Sequence, residues 1–102
     1  MSRQPIHPPI HPGEHLQLEL SELDMSAAEL ARQLDVPSNR ISQILRGDRD
    51  ISADTAMRLG HFFGTSAQFW LNLQALYDLR LAEQRNGKAI KSLPTLKTLK
   101  AA

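Results

Sequence analysis

Apolar residues recur at helical spacing along most of this chain, and short turns separate the resulting segments. Residues 1–11 differ, because most of the prolines fall there or directly after, and proline at this density blocks a helix interior. We interpret this stretch as an extended arm. Pro12 suits the first position of a helix. The inner face of that helix is predicted to carry Leu16, Leu20 and Leu23.

Four further helices are indicated by capping residues and glycine stops. Ser26, followed three residues later by Glu29, forms a capping box for the second helix. Gly47 and Gly64 stand where a left-handed residue ends the third and fourth helices. The fifth and longest helix is predicted to run from about residue 66 to 85 and to end at Gly87. The pattern is all-helical, with a domain over residues 12–85 and a basic, flexible tail over residues 86–102.

The amino-acid composition excludes several classes of protein. The 102 residues suit one domain, and the absence of cysteine excludes disulfide scaffolds and zinc-thiolate sites. No apolar run is long enough for a membrane span or a secretory signal, so we expect a soluble, cytoplasmic protein. The net charge of +1 conceals a basic end: residues 85–102 hold five basic and no acidic residues. That end is either a solubilising tail or a contact for an anionic partner.

Two short helices joined by a tight turn, over residues 26–49, suggest a helix-turn-helix that binds double-stranded operator DNA. Burial of the apolar positions leaves a polar face at the start of the second of these helices. Asparagine and glutamine can bind adenine, and arginine can bind guanine. The predicted base contacts are Ser38, Asn39, Arg40, Ser42 and Gln43, and the predicted phosphate contacts are Ser26, Arg46 and Arg49.

Three segments carry a family resemblance: HPGEHL, AELARQLDVPSNRISQILRGDRDISADTAMRL and GTSAQFWLNLQALYDLR. Together they resemble HigA-type antitoxins, the VapI-like group of the Xre/Cro-repressor superfamily, over roughly residues 11–82. The resemblance implies a five-helix, lambda-repressor-like DNA-binding domain that forms a homodimer. It also implies binding to a HigB-type toxin, an mRNA-cleaving RNase, and repression of the shared operon. The basic tail lies outside the pattern.

The fifth helix carries more apolar residues than one buried face needs. At 100° per residue, Leu71 and Leu79 fall away from the main stripe. We predict that they form a dimer interface together with Trp70, whose aromatic stripe also serves the core.

Enzymatic function is not expected, because no nucleophile elbow, phosphate-binding loop or metalloprotease motif is present. His7, His11 and His15 are four residues apart, but intervening prolines break the helix that would align them. We therefore predict no metal site, no cofactor and no small-molecule substrate. Two alternatives to the antitoxin stay open: a solitary Xre-family transcriptional regulator without a toxin, and a protein-interaction module that no longer binds DNA.

Overall fold

Residues 8–101 of this chain are described by a computed structural model, and they contain six helices and no strand. Residues 1–7 of the predicted arm, including His7, lie outside the described residues, and residues 8–11 have no regular secondary structure. The expected all-α fold is confirmed. The helices are α1 (Pro12–Leu23), α2 (Ala27–Leu34), α3 (Ser38–Leu45), α4 (Ala53–Phe63), α5 (Ala67–Lys91) and α6 (Leu96–Ala101).

The hydrophobic core lies where α1 to α5 meet. Helix α5 packs mainly on α4, α2 packs on α3, and α1 contacts both α3 and α5. Leu23, expected on the inner face of α1, is instead 51% exposed, because the helix ends there at the left-handed Asp24. The largest fully buried side chains are Trp70, Leu16, Leu20, Leu30, Ile41, Ile44 and Leu59.

Serine caps begin three of the helices, as the sequence predicts for α2 and α4. In each case the serine Oγ accepts a hydrogen bond from the backbone N–H three residues further on. These bonds satisfy donors that the first turn of a helix leaves unpaired. The capping serines are Ser26, Ser52 and Ser66.

Helix α1 begins at a tight junction with α3. The Nδ1 atom of His11 accepts a hydrogen bond of 2.9 Å from the backbone N–H of Gly13, and the imidazole ring packs edge-on against Tyr77 of α5. Gly13 itself lies against the backbone of α3, where an added Cβ would overlap the carbonyl oxygen of Ile44. Glycine is therefore required at this helix crossing because there is no room for a side chain. Its φ angle is not in the left-handed region and would not by itself require glycine.

The prediction that Gly87 ends the fifth helix is wrong, because α5 continues through it to Lys91. Gly87 does not adopt a positive φ, and a Cβ there would meet nothing within 4 Å. Lys88 and Lys91 place positive charge on the last turn, which favours the negative end of the helix dipole. The helix ends before Pro94, which cannot continue it.

Of the tail expected to be flexible, residues 86–102, the described part up to residue 101 contains the end of α5 and the short helix α6. Thr95 and Thr98 cap its start reciprocally: the N–H of Thr98 donates to the Thr95 Oγ1, and the N–H of Thr95 donates to the Thr98 Oγ1. Every residue of α6 is exposed. The helix buries no side chain, and local hydrogen bonds at its start hold it.

Two glycine substitutions should change stability in opposite directions. We expect Gly13→Ala to lower the free energy of unfolding by about 1–3 kcal/mol, because the new methyl group displaces the α3 backbone. Gly87→Ala should raise it by about 0.5–1 kcal/mol, since alanine lowers the entropy loss in an open helical position. Urea denaturation followed by circular dichroism measures both values. A neutral Gly13→Ala protein would contradict the close helix crossing.

Candidate nucleic-acid interface

Helices α2 and α3 form the predicted helix-turn-helix. Only Asp35, Val36 and Pro37 separate them, and Asp35 adopts the left-handed conformation with a φ of 56°. Its backbone N–H donates to the carbonyl oxygen of Arg32, and that of Val36 donates to the carbonyl oxygen of Ala31. Ala31 is buried between the helices, where a small side chain permits their close approach.

The predicted base-contacting residues lie on the first two turns of α3. Ile41 and Ile44 hold the opposite side of this helix in the core. Ser38 and Asn39 are exposed. Three other side chains on this surface, those of Arg40, Ser42 and Gln43, are half-buried.

Gln43 and Arg49 were predicted to have separate roles, but the structure joins them. The Nε of Arg49 donates a hydrogen bond of 2.8 Å to the Oε1 of Gln43. Arginine has no acceptor, so this contact fixes the orientation of the Gln43 amide and leaves its NH₂ group available. While the bond persists, Gln43 presents a donor to DNA. Bidentate binding to adenine would use this NH₂ group and the second lone pair of Oε1, which the Arg49 bond leaves unoccupied.

The remaining predicted phosphate contacts differ in their surroundings. Arg46 donates from Nε to Asp48 at 3.2 Å, and both side chains are exposed. Exposed pairs of this kind contribute little, so Arg46 can exchange Asp48 for a phosphate. Ser26 is exposed, but its Oγ already accepts from the N–H of Glu29 at 3.1 Å.

Gln74 of α5 holds the loop that carries Arg49. Its Oε1 accepts a hydrogen bond of 2.7 Å from the backbone N–H of Ile51, and its Nε2 donates to Asp78 at 3.0 Å. The Gln74 side chain is buried, so both polar ends of the amide are satisfied inside the protein. The loop after α3 is therefore attached directly to the longest helix.

Asp54 and Arg58 were not predicted, although both belong to the site. Asp54, near the start of α4, accepts hydrogen bonds from Arg40 and from Arg58, each at 3.0 Å. The hydrogen bond from Arg58 lowers the pKa of the Asp54 carboxyl below its ordinary value, with a smaller contribution from Arg40. The i,i+4 spacing of Asp54 and Arg58 is visible in the sequence. The contact with Arg40 is not, because the two residues lie on different helices, fourteen residues apart.

Comparison with known proteins identifies the family. Residues 17–70, just over half of the chain, match the HTH_3 helix-turn-helix model. The chain belongs to this helix-turn-helix family. It is 53% identical over 78 residues to virulence-associated protein I of Dichelobacter nodosus, covering 76% of this chain and 72% of that protein. This similarity confirms the predicted resemblance to the VapI-like group.

Solved structures of this helix-turn-helix family show the same architecture. An addiction module antidote protein of the HigA family from Coxiella burnetii superposes with a TM-score of 0.86 at 53% identity, covering 87% of this chain and 98% of that one. Antitoxin HigA of Pseudomonas aeruginosa, solved with the higBA promoter, superposes with a TM-score of 0.82 at 52% identity, covering 86% and 98%. The resemblance to HigA-type antitoxins is thereby confirmed.

Trp70 has a different place from the one predicted for a dimer interface. Its side chain is 1% exposed, packs at a tilt against Phe63 and edge-on against Phe69, and donates from Nε1 to the Thr65 Oγ1 at 3.0 Å. A side chain enclosed in the hydrophobic core cannot reach a second subunit, so Trp70 is removed from the candidate interface. Leu71 is half-buried against the core, and Leu79 is 57% exposed.

Two of the described histidines, His11 and His15, have structural roles, whereas His61 is exposed on α4. His11 caps α1, and His15 packs edge-on against Phe69 and Trp70. Within residues 8–101, no group of three or more histidine, aspartate or glutamate side chains is arranged to hold a metal ion. In the same part of the chain, no helix has the length and apolar character needed to span a bilayer.

Proposed function

We propose that this protein is an antitoxin that also binds operator DNA and represses transcription of its own operon. The observation that carries the proposal is the polar start of α3, where exposed Ser38 and Asn39 stand on a helix anchored by buried Ile41 and Ile44. A helix mounted in this way can enter the major groove with its first turn toward the bases. The 52% identical Pseudomonas aeruginosa antitoxin was solved with the higBA promoter, which supports DNA binding by this chain.

In this proposal one set of polar residues contacts the bases and a second set contacts the phosphates. Ser38, Asn39, Arg40, Ser42 and Gln43 read base edges. Arg46 and Arg49, with Ser26 at the start of α2, contact the phosphate backbone and set the position of the helix. The protein binds duplex DNA in the cytoplasm and performs no catalysis, takes no small-molecule substrate and needs no cofactor.

We propose a homodimer formed through the outer face of α5. Leu76 and Leu79 are more than half exposed on this helix, and Ile90 is exposed further along it. A shallow apolar depression is lined by Leu79, Ala82, Gly87 and Ile90. One subunit offers few cations to DNA, whereas two subunits on a palindromic operator double the phosphate contacts.

The toxin-binding part of the proposal rests on family similarity. The relatives include antitoxin HigA-1 of Vibrio cholerae, 32% identical over 89 residues. A HigB-type toxin, encoded beside this protein's gene, is the expected partner. The second candidate function is a solitary regulator. A relative from Escherichia coli, 40% identical over 78 residues, is named an uncharacterized HTH-type transcriptional regulator, and its name mentions no toxin.

Two variants should distinguish the residues that contact bases from those that contact the phosphate backbone. Asn39→Ala should lose about 1–3 kcal/mol of binding free energy for the DNA upstream of the protein's gene, while its affinity for random duplex stays nearly unchanged. Arg46→Ala should weaken binding to all sequences and reduce the salt slope by roughly one. Fluorescence anisotropy at several salt concentrations measures both. If Asn39→Ala lowers the affinity for both duplexes equally, Asn39 contacts only phosphates. If the wild-type protein binds both duplexes with the same affinity, the protein-interaction module is the favoured function.

Toxin neutralisation is tested by expression with the product of the adjacent open reading frame. We expect the two proteins to co-purify and the complex to leave a model mRNA intact. The tagged neighbouring product purified alone, as the control, should cleave the same RNA. If the neighbouring product neither binds this protein nor cleaves RNA, the solitary regulator is the correct function.

The dimer proposal predicts that Leu79→Glu dissociates the protein. A buried carboxylate in an apolar interface lacks a partner, so association should be lost along with operator binding, while helix content is retained. Sedimentation at tens of micromolar measures the change. Leu23→Glu is the matched control, because Leu23 is similarly exposed but lies on α1. A monomeric wild type, or a Leu79→Glu protein that still dimerises, would exclude this interface.

A further inference from the structure

Asp54 connects two arginines through a single oxygen atom. Its Oδ2 lies 3.0 Å from the Nη1 of Arg40 on α3 and 3.0 Å from the Nε of Arg58, one turn further along α4. The carboxylate is 58% exposed, whereas the Arg40 side chain is 28% exposed. Asp54 thus stands at the surface beside the candidate DNA-binding face, and Arg40 lies against the protein more closely than its neighbours Ser38 and Asn39.

The second arginine is anchored to the protein backbone. The Nη1 of Arg58 donates to the carbonyl oxygen of Leu34 at 2.7 Å and to that of Asp35 at 3.3 Å. These carbonyl groups belong to the end of α2, where the helix leaves acceptors unpaired. A guanidinium group there also opposes the negative end of the helix dipole. The hydrogen bonds therefore run from the end of α2 through Arg58 and Asp54 to Arg40.

This network leaves most of the Arg40 donors free. A guanidinium group carries five N–H donors in a planar fork, and Asp54 accepts from one nitrogen atom. A carboxylate that holds one side of the fork restricts the rotation of a long, flexible side chain before DNA arrives. Prior ordering of this kind raises affinity by reducing the entropy lost on binding. The remaining edge of the group can still form two parallel bonds with the O6 and N7 atoms of guanine.

We propose that Asp54, held by Arg58, is a positioning residue that orients Arg40 to read guanine in the operator. The proposal rests on the proposed DNA-binding function. Asp54 contacts no base itself, and its effect on sequence preference passes entirely through Arg40. The two guanidinium groups also offset its negative charge, which would otherwise repel the DNA phosphates.

Charge repulsion alone and the proposed positioning role predict opposite effects of removing the Asp54 carboxylate on operator binding. A carboxylate near DNA repels phosphates, so its removal should strengthen binding to every sequence. If Asp54 positions Arg40, its removal should instead weaken binding to the operator and leave binding to random DNA unchanged or slightly stronger. The sign of the change on operator DNA separates the two effects.

The experiment is a double-mutant cycle of Asp54→Asn and Arg40→Ala. The operator is a duplex that the wild-type protein selects from a randomised pool, and the reference is a random duplex of equal length. Asp48→Asn is the matched control: it removes the same charge from another exposed aspartate, which pairs with Arg46 at 3.2 Å. Circular dichroism confirms that each variant is folded. Affinity for both duplexes, and for operators with single guanine replacements, is then measured.

We expect Asp54→Asn to reduce operator preference about tenfold, within the range of measured pairwise coupling. The loss should fall on one guanine position and should disappear in the Arg40→Ala background. Asp48→Asn should raise affinity for both duplexes without changing preference. An unchanged preference in Asp54→Asn, or an equal loss in the Arg40→Ala background, would overturn the positioning role while leaving the proposed function intact. Failure of the wild type to enrich any sequence would overturn both.

Discussion

Helix α3 depends on its packing, because it has little stability of its own. It is eight residues long, and its N-cap, Pro37, makes no side-chain capping hydrogen bond. Isolated helices shorter than about 12–15 residues are marginal in water. The full burial of Ile41 and Ile44 therefore supplies the ordering that the sequence of α3 lacks locally. The direction in which Asn39 and Ser38 face solvent follows from this anchoring.

Two helices pack on α3, and α4 supports one of them. Helix α2 packs along it, α1 approaches it at Gly13 closely enough to exclude a methyl group, and Arg58 of α4 bonds the end of α2. Helix α5 does not contact this surface directly, but Gln74 ties it to the backbone at Ile51. The candidate DNA-binding surface thus combines a short, polar helix with a rigid support, which is how precise binding sites are usually built.

The sequence predicted most of this architecture because its signals were local. The capping serines, the turn before Ser38 and the left-handed Gly47 each depend on neighbouring residues, and each appears in the structure. Two predictions were wrong: the end of the fifth helix at Gly87 and the place of Trp70 in a dimer interface. Gly87 was interpreted as a stop, but lysines and alanine on its C-terminal side sustain the helix. Trp70 was assigned to both core and interface, and helical periodicity cannot decide between adjacent faces of one helix.

The side-chain pairs of the site were beyond sequence reasoning. Gln43 and Arg49 are six residues apart, on a helix and on the loop that follows it, and their bond depends on the course of that loop. Asp54 and Arg40 are fourteen residues apart on different helices. Residue types predicted which side chains could bind DNA. Only the three-dimensional structure shows which of these side chains are already paired within the protein before DNA binds.

Helix α3 is anchored by buried residues and exposes others to solvent, and this arrangement has an evolutionary consequence. Ser38 and Asn39 touch solvent, so substitutions there change the recognition surface while the core beneath remains intact. Preference for a new DNA sequence can then arise in single mutational steps at these two positions. Arg40 is different, because replacing it leaves Asp54 paired with Arg58 alone and removes a contact between α3 and α4. If Asp54 orients Arg40 as proposed, a substitution at either position changes the contact of the other, so we expect positions 40 and 54 to vary together.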